Sequence, residues 1–458
     1  MKVLIAAARP AALALLPTLA LLPALPADAS AQQPGDSATI AQVADSIAAE
    51  VMDSPVAGVA VAVARGGDVV FQKAYGLGDV ADGEPLSLAD PHQIGSLTKQ
   101  FTAAAILSLV EDGRIALDDP VQSYLPDFDT QGHTVTIHHL LNHTSGIRSY
   151  TSIYGMNPVP EPVLLDTLQV HPFDFAPGED FLYNNSGYYL LGLVLEAVTG
   201  ASYDRYMEDE FFEPLGMEST SYCGYGGEEI PVGYSPGPEG LDTALLSDME
   251  FPGAAGGLCS TVDDLLTWQR ALVAGDVVTP ASYATMTTPA VLASGDTTDY
   301  GYGLGVGMLE EHPIVAHGGG IPGYSTYLSY YPGADLGIAV LVNTAPGNPG
   351  RVEDAIARAA LGMDRNVVLD LPLDAAERTR YLGTYDLGDL EVRVFERDGE
   401  LTAQATRQPP LRMLYQGEHT FLLDASQEIR LVFELEEGRA TGFTLHQGGA
   451  VIRAPRVN

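Results

Sequence analysis

Strand-like segments at opposite ends of a long helical stretch constrain this chain most. Residues 57–65 read AGVAVAVAR, then Gly66-Gly67-Asp68 turns into VVFQKAYG, a hairpin pattern. Far downstream, STYLSYYPG (325–333) and LGIAVLVN (336–343) flank a second turn, Pro-Gly-Ala-Asp. Between them lie helical patterns. One runs from Ser96 to Asp112 with Phe101, Ala104, Ile106 and Leu109 on its apolar positions. Another runs from Asn185 to Thr199 and stops at Gly200. A third runs from Thr261 to Val273, with Thr261 as cap and Asp263 and Asp264 in the first turn. Helical spacing also marks 38–52 and 351–361. Strands at both ends must meet in one sheet around the intervening helices. The expected class is α+β: an antiparallel sheet flanked by helices, with an all-helical lobe.

The pattern changes after a Leu-, Asp- and Pro-rich linker at 367–374. From about 380 to 456, short alternating segments such as LEVRVFER, LTAQATR and IRLVFELE stand between turns. They predict a small C-terminal antiparallel β domain at 375–458, built as a barrel or sandwich. The larger domain is expected over 32–366.

Residues 1–31 read as a cleaved leader. Lys2 and Arg9 precede an uncharged stretch over 10–26, and Ala29-Ser30-Ala31 offers a small-x-small cleavage pattern. Pro17 and Pro23 break the apolar run, so an exported protein without stable membrane insertion is expected. The formal charge of −38 repels nucleic acid and anionic lipid, so neither is an expected partner. Lysine occurs only at 2, 73 and 99, and the other basic residues are Arg. A lysine in such a chain points to a task Arg cannot do, such as losing its proton when desolvated. Cys223 and Cys259 leave a disulfide and two buried thiols equally open.

Three short motifs carry chemistry. In Gly95-Ser96-Leu97-Thr98-Lys99, a hydroxyl at a helix start meets an amine one turn later, beside free backbone N–H groups. In Tyr183-Asn184-Asn185-Ser186-Gly187 a phenol and an amide open the next helix. In His317-Gly318-Gly319-Gly320 glycines on a strand leave room for a ligand backbone. Each alone reads more readily as a cap, a polar turn or a flexible hairpin.

Taken in order and spacing, the three resemble the serine β-lactamase and penicillin-binding-protein superfamily: Ser-x-x-Lys, Tyr-x-Asn, then a Lys-, His- or Arg-Thr/Gly-Gly strand. LLNHTSGI (140–147), FFEPLGMEST (211–220) and AAGGLCSTVDDLLTW (254–268) add to the resemblance, which covers about 38–362 and lies nearest the class C β-lactamase-related branch. The tail resembles the lipocalin-like β domain often appended there. The resemblance implies Ser96 as nucleophile and Lys99 with Tyr183 as the acid/base pair. It implies Asn185, His317, Gly318 and Gly319 as substrate-binding residues, and the N–H groups of Ser96 and Gly320 as the oxyanion hole. It implies no cofactor and no metal. His317 and Gly318 replace the Lys and Thr of true β-lactamases, which points to a peptidase or esterase acting on a small-molecule or peptide substrate. The alternatives are a β-lactamase, or a non-catalytic peptidoglycan-fragment binding or sensor protein on the same scaffold. Oligomeric state is left open.

Two other patterns fall short of a site. His139 and His143 have an i, i+4 zinc spacing, but the Glu of a metalloprotease motif is missing. Gly323-Tyr324-Ser325 lacks the closing Gly of a nucleophile elbow.

Overall fold

Alternation of Val and Ala decides how the central strand is used. In the computed structural model, Val59, Val61 and Val63 of the strand Gly58–Arg65 face one core, while Ala60 and Ala62 face another. The partner strand Leu336–Val342 repeats the division: Ile338, Val340 and Val342 join the first core, and Ala339 and Leu341 the second. The two strands pair antiparallel, Val59 opposite Val342 and Val63 opposite Ile338, so like residues stack across the ladder. Each fully buried Val or Ile contributes about 1.5–3 kcal/mol, and a one-residue slip would turn both sets to the wrong face.

The structure describes residues 35–457 except 224–229, 239, 245–247, 365–369, 388–389, 407–409, 425, 437 and 448–449. The expected leader at 1–31 lies outside the described residues, as does part of the expected linker. No helix among the described residues is long and apolar enough to cross a membrane.

The central sheet has seven strands in the spatial order Glu84–Pro85, Asp68–Asp79, Gly58–Arg65, Leu336–Val342, Tyr324–Tyr331, His312–Ile321 and Gly305–Leu309, every neighbour antiparallel. The terminal strand runs therefore meet in mid-sheet, as their separation in sequence required. Helices Ser37–Met52 and Pro349–Leu361 cover one face with Ile40, Ala44, Ile47 and Val51 and with Val352, Ile356 and Ala360. Helix Val262–Ala274 and the helical lobe cover the other.

Helix Thr98–Glu111 runs through this second core and is buried on every side from Thr98 to Leu107, polar residues Thr98, Lys99, Gln100 and Thr102 included. Phe101 stacks on Trp268 with centroids 4.0 Å apart, and the indole N–H donates to Gln100 Oε1 at 3.0 Å. The α-helix begins at Thr98, not Ser96. Gly95, at φ 52°, turns the chain into a single 3-10 turn, Gly95–Leu97, and Ser96 lies on that turn.

Gly383–Asp386 to Ala450–Pro455 form eight consecutive antiparallel strands. A bridge between Tyr385 and Arg456 brings the last strand back to the first, so the tail is a nearly closed barrel, not a sandwich. Its interior is filled by Tyr381, Tyr385, Phe421, Phe433 and Phe443, with Tyr381 and Phe421 centroids 4.8 Å apart and Phe433 and Phe443 5.3 Å apart.

Candidate active site

The Gly95–Leu97 turn is held from two sides. Ile94 N–H donates to Leu258 O at 2.9 Å, and His92 and Gln93 pair with Ser260 and Cys259. On the other side the strand His312–Ile321 passes so close that a Cβ on Gly319 would lie 2.1 Å from Ile94 O and 2.2 Å from Thr326 Oγ1. A Cβ on Gly95 would lie 3.0 Å from Gly320 N. The glycines here make room for the chain's own Ile94–Ser96 segment. Gly320 alone opens to solvent, with nothing within 4 Å of a Cβ built on it. The turn therefore sets Gly95 directly against Gly320.

Lys99 is fully buried, and its Nζ meets three oxygens: Ser96 Oγ at 3.1 Å, Asn185 Oδ1 at 2.8 Å and Ala255 O at 2.8 Å. Burial holds its ammonium well below the usual 10.5. A neutral amine has two N–H donors and one lone pair. Asn185 Oδ1 and Ala255 O can only accept, so they take the two N–H groups. In that neutral form the lone pair falls to Ser96, the one partner with a proton to give.

Two hydrogen bonds hold the Ala255 carbonyl in place. Leu258 N–H donates to Thr98 Oγ1 at 3.2 Å, and the Thr102 hydroxyl donates to Ala254 O at 2.7 Å. The next strand is tied to Ser221–Tyr222 by a disulfide between Cys223 and Cys259, which resolves the cysteine question.

Asn184 starts the second motif's helix, its Oδ1 accepting from Gly187 N at 2.9 Å, so that Asn185–Thr199 begins where an N-cap Asn requires. Asn185 Nδ2 donates to Thr151 Oγ1 at 3.1 Å, and its backbone N–H donates to Ser149 Oγ at 3.2 Å. The Tyr183 ring lies 4.9 Å from Lys99 Nζ. Tyr183 is 36% exposed, yet burial around its hydroxyl raises the phenol above its ordinary value of 10, and a hydrogen bond with Ser96 opposes the rise.

His317 turns inward. Its Nε2 lies 2.8 Å from Tyr300 Oη and its Nδ1 2.6 Å from Gly318 O. Burial pulls it down to about 4. It is neutral at pH 7 and supplies no cation where true β-lactamases carry Lys. His139 and His143 part company: His139 Nδ1 accepts from Thr136 N at 3.3 Å, while His143 packs on Tyr183.

The structure thus brings Ser96, Lys99, Tyr183 and Asn185 into contact and lays Gly320 beside them. Sequence reading missed Ala255, Ser149, Thr151 and Tyr300. The polar run around Ser149 and Thr151 was a weak signal for two of these. A backbone carbonyl leaves none.

A family model described as Beta-lactamase matches residues 44–363. Penicillin-binding protein 4* of Bacillus subtilis (strain 168) is 29% identical over 432 residues, 86% of this chain and 94% of its own length. The octameric penicillin-binding protein homologue from Pyrococcus abyssi superposes with a TM-score of 0.67 at 27% identity, covering 91% of this chain and 99% of that one. A D-stereospecific amidohydrolase from Streptomyces sp. does so with a TM-score of 0.59 at 27% identity, over 71% of this chain and 98% of its own. The chain belongs to the β-lactamase family, within the superfamily of serine β-lactamases and penicillin-binding proteins.

Proposed function

We propose that this chain is an exported hydrolase that cleaves an amide or ester bond through an acyl-enzyme on Ser96. The contact set of Lys99 carries the reading. As Ser96 Oγ attacks the substrate carbonyl carbon, its proton passes to the Lys99 lone pair. The carbonyl electron pair moves onto oxygen, where the N–H groups of Ser96 and Gly320 stabilise it. When the tetrahedral centre collapses, the leaving nitrogen or oxygen takes a proton from Tyr183, which Lys99 reprotonates. A water then repeats the sequence in reverse and frees Ser96. Asn185 keeps one amide proton for the substrate carbonyl, and Gly318–Gly320 form the strand edge along which the substrate lies. His317 supports that edge through Tyr300 and adds no charge.

Two observations favour a peptidase or esterase over an efficient β-lactamase. His317 is neutral where a carboxylate-binding cation stands in true β-lactamases. Named relatives include penicillin-binding proteins and a D-stereospecific amidohydrolase. The favoured substrates are D-aminoacyl amides, D-peptides and short esters. The disulfide fits an oxidising compartment, which supports export and a leader at 1–31. We assign 32–366 to the hydrolase and 375–458 to the appended barrel.

The test is intact-mass analysis after incubation with a fluorophosphonate or a penicillin. A single covalent adduct is expected in the native protein and none in Ser96→Ala. In parallel assays, D-aminoacyl amides or p-nitrophenyl acetate should be turned over at least about tenfold faster than nitrocefin. An unchanged rate in Ser96→Ala removes the proposal.

A further inference from the structure

His143 takes no step in the scheme above, yet it grips the segment that carries Tyr183 and Asn185 at three points. Its carbonyl accepts from Leu182 N at 3.1 Å. Its Nδ1 accepts from Asn184 N at 3.2 Å. Its ring lies against Tyr183 with centroids 4.4 Å apart and against Tyr300 at 4.7 Å. The N–H it holds belongs to the residue between the phenol and the amide.

Two features count against a merely space-filling role. The backbone of His143 sits in the left-handed region at φ 62°, where Gly or Asn fits with less strain. Because Nδ1 accepts, the ring proton resides on Nε2, and Nε2 has no hydrogen-bond partner among the described residues although the side chain is 1% exposed. An apolar side chain would fill the space without stranding that N–H. Imidazole at this place costs stability through its unpartnered N–H.

We infer that His143 is a positioning residue: through Nδ1 it fixes the Asn184 amide and thereby sets Tyr183 and Asn185 against Lys99. The inference rests on the acyl-transfer reading of Tyr183.

His143→Gly and His143→Asn separate the acceptor from everything else. Both lose the ring and both relax the backbone, but Asn keeps an acceptor on Cγ. With p-nitrophenyl acetate, normalised to the folded fraction by circular dichroism, His143→Gly should lower kcat by about 10–100-fold with KM changed less than about threefold. His143→Asn should recover to within about fivefold of the native rate. Equal kcat in the two variants overturns the inference. Nitrogen-15 spectra of the histidine-labelled protein give a second readout that does not depend on turnover: His143, assigned by its loss in His143→Asn, should be the Nε2–H tautomer, and an Nδ1–H tautomer overturns the inference. Ser96→Ala run alongside keeps the two levels apart, since activity there defeats the acyl-enzyme reading and leaves the His143 comparison to stand or fall by itself.

Discussion

The helical side of the central sheet and the C-terminal barrel enclose very different interiors. The barrel buries aromatic rings, and Thr402 is its one buried polar side chain among the described residues. The site region buries Lys99, His92, His143, His317, Gln100, Thr98, Thr102, Asn142 and Asn184. Polar burial is expensive unless partners are supplied, and for Lys99 they are supplied across the chain: it reaches Asn185, 86 residues on, and Ala255, 156 residues on. One region is built for stability. The other gives up stability to hold a buried amine, its pKa lowered by burial, against a hydroxyl.

The contrast is most exposed to failure at Ser96 and Lys99. Ser96→Ala or Lys99→Arg should lower ester turnover by about a thousandfold or more, because Arg keeps its proton, while the barrel is untouched. In the opposite region, Phe433→Ala should destabilise the barrel by about 3–5 kcal/mol and leave kcat at 25 °C unchanged. Trp268, the chain's single tryptophan, stacks in the site region, so its fluorescence should report an unaltered urea transition in that variant. A parallel fall in kcat would mean that the barrel shapes the cleft.

Acid should separate the regions too. Burial pulls both His92 and His317 down to about 4 from 6.5. The unfolded chain therefore binds these protons first. Their stabilisation is full above pH 6.5 and is lost as pH falls through 4, by roughly 3 kcal/mol each. The Trp268 transition should move to lower urea between pH 7 and 4.5, and a shift to higher urea would contradict the sign. The smallest effect is expected of Gly319→Ala. Its Cβ would strike Ile94 O and push the nucleophile turn, lowering kcat by about 10–100-fold. A native kcat would show that the turn has slack.

Legibility in the sequence followed the range of the interactions. Helix Asn185–Thr199 was readable because its cap, Asn184, and its stop, Gly200 at φ 77°, are local. The central strands were readable because Val and Ala alternate with the pleat. The Ser96–Lys99 contact was readable because the two residues stand three apart in the chain. The 3-10 start was not, since it follows from Gly95 meeting Gly320 across the fold. The glycines after His317 were read as room for a ligand, but Gly319 makes room for Ile94. Ala255 was invisible because its carbonyl, not its side chain, touches Lys99.

The account depends most on Lys99 being uncharged where enzymes at neutral pH need a base. With Lys2 and Lys73 replaced by Arg, the protein carries one lysine, and carbon-13 labelling at Cε gives one signal to titrate by NMR. It should titrate well below 10.5, leaving an amine at neutral pH. A signal that still reports an ammonium up to pH 10.5 would contradict the account.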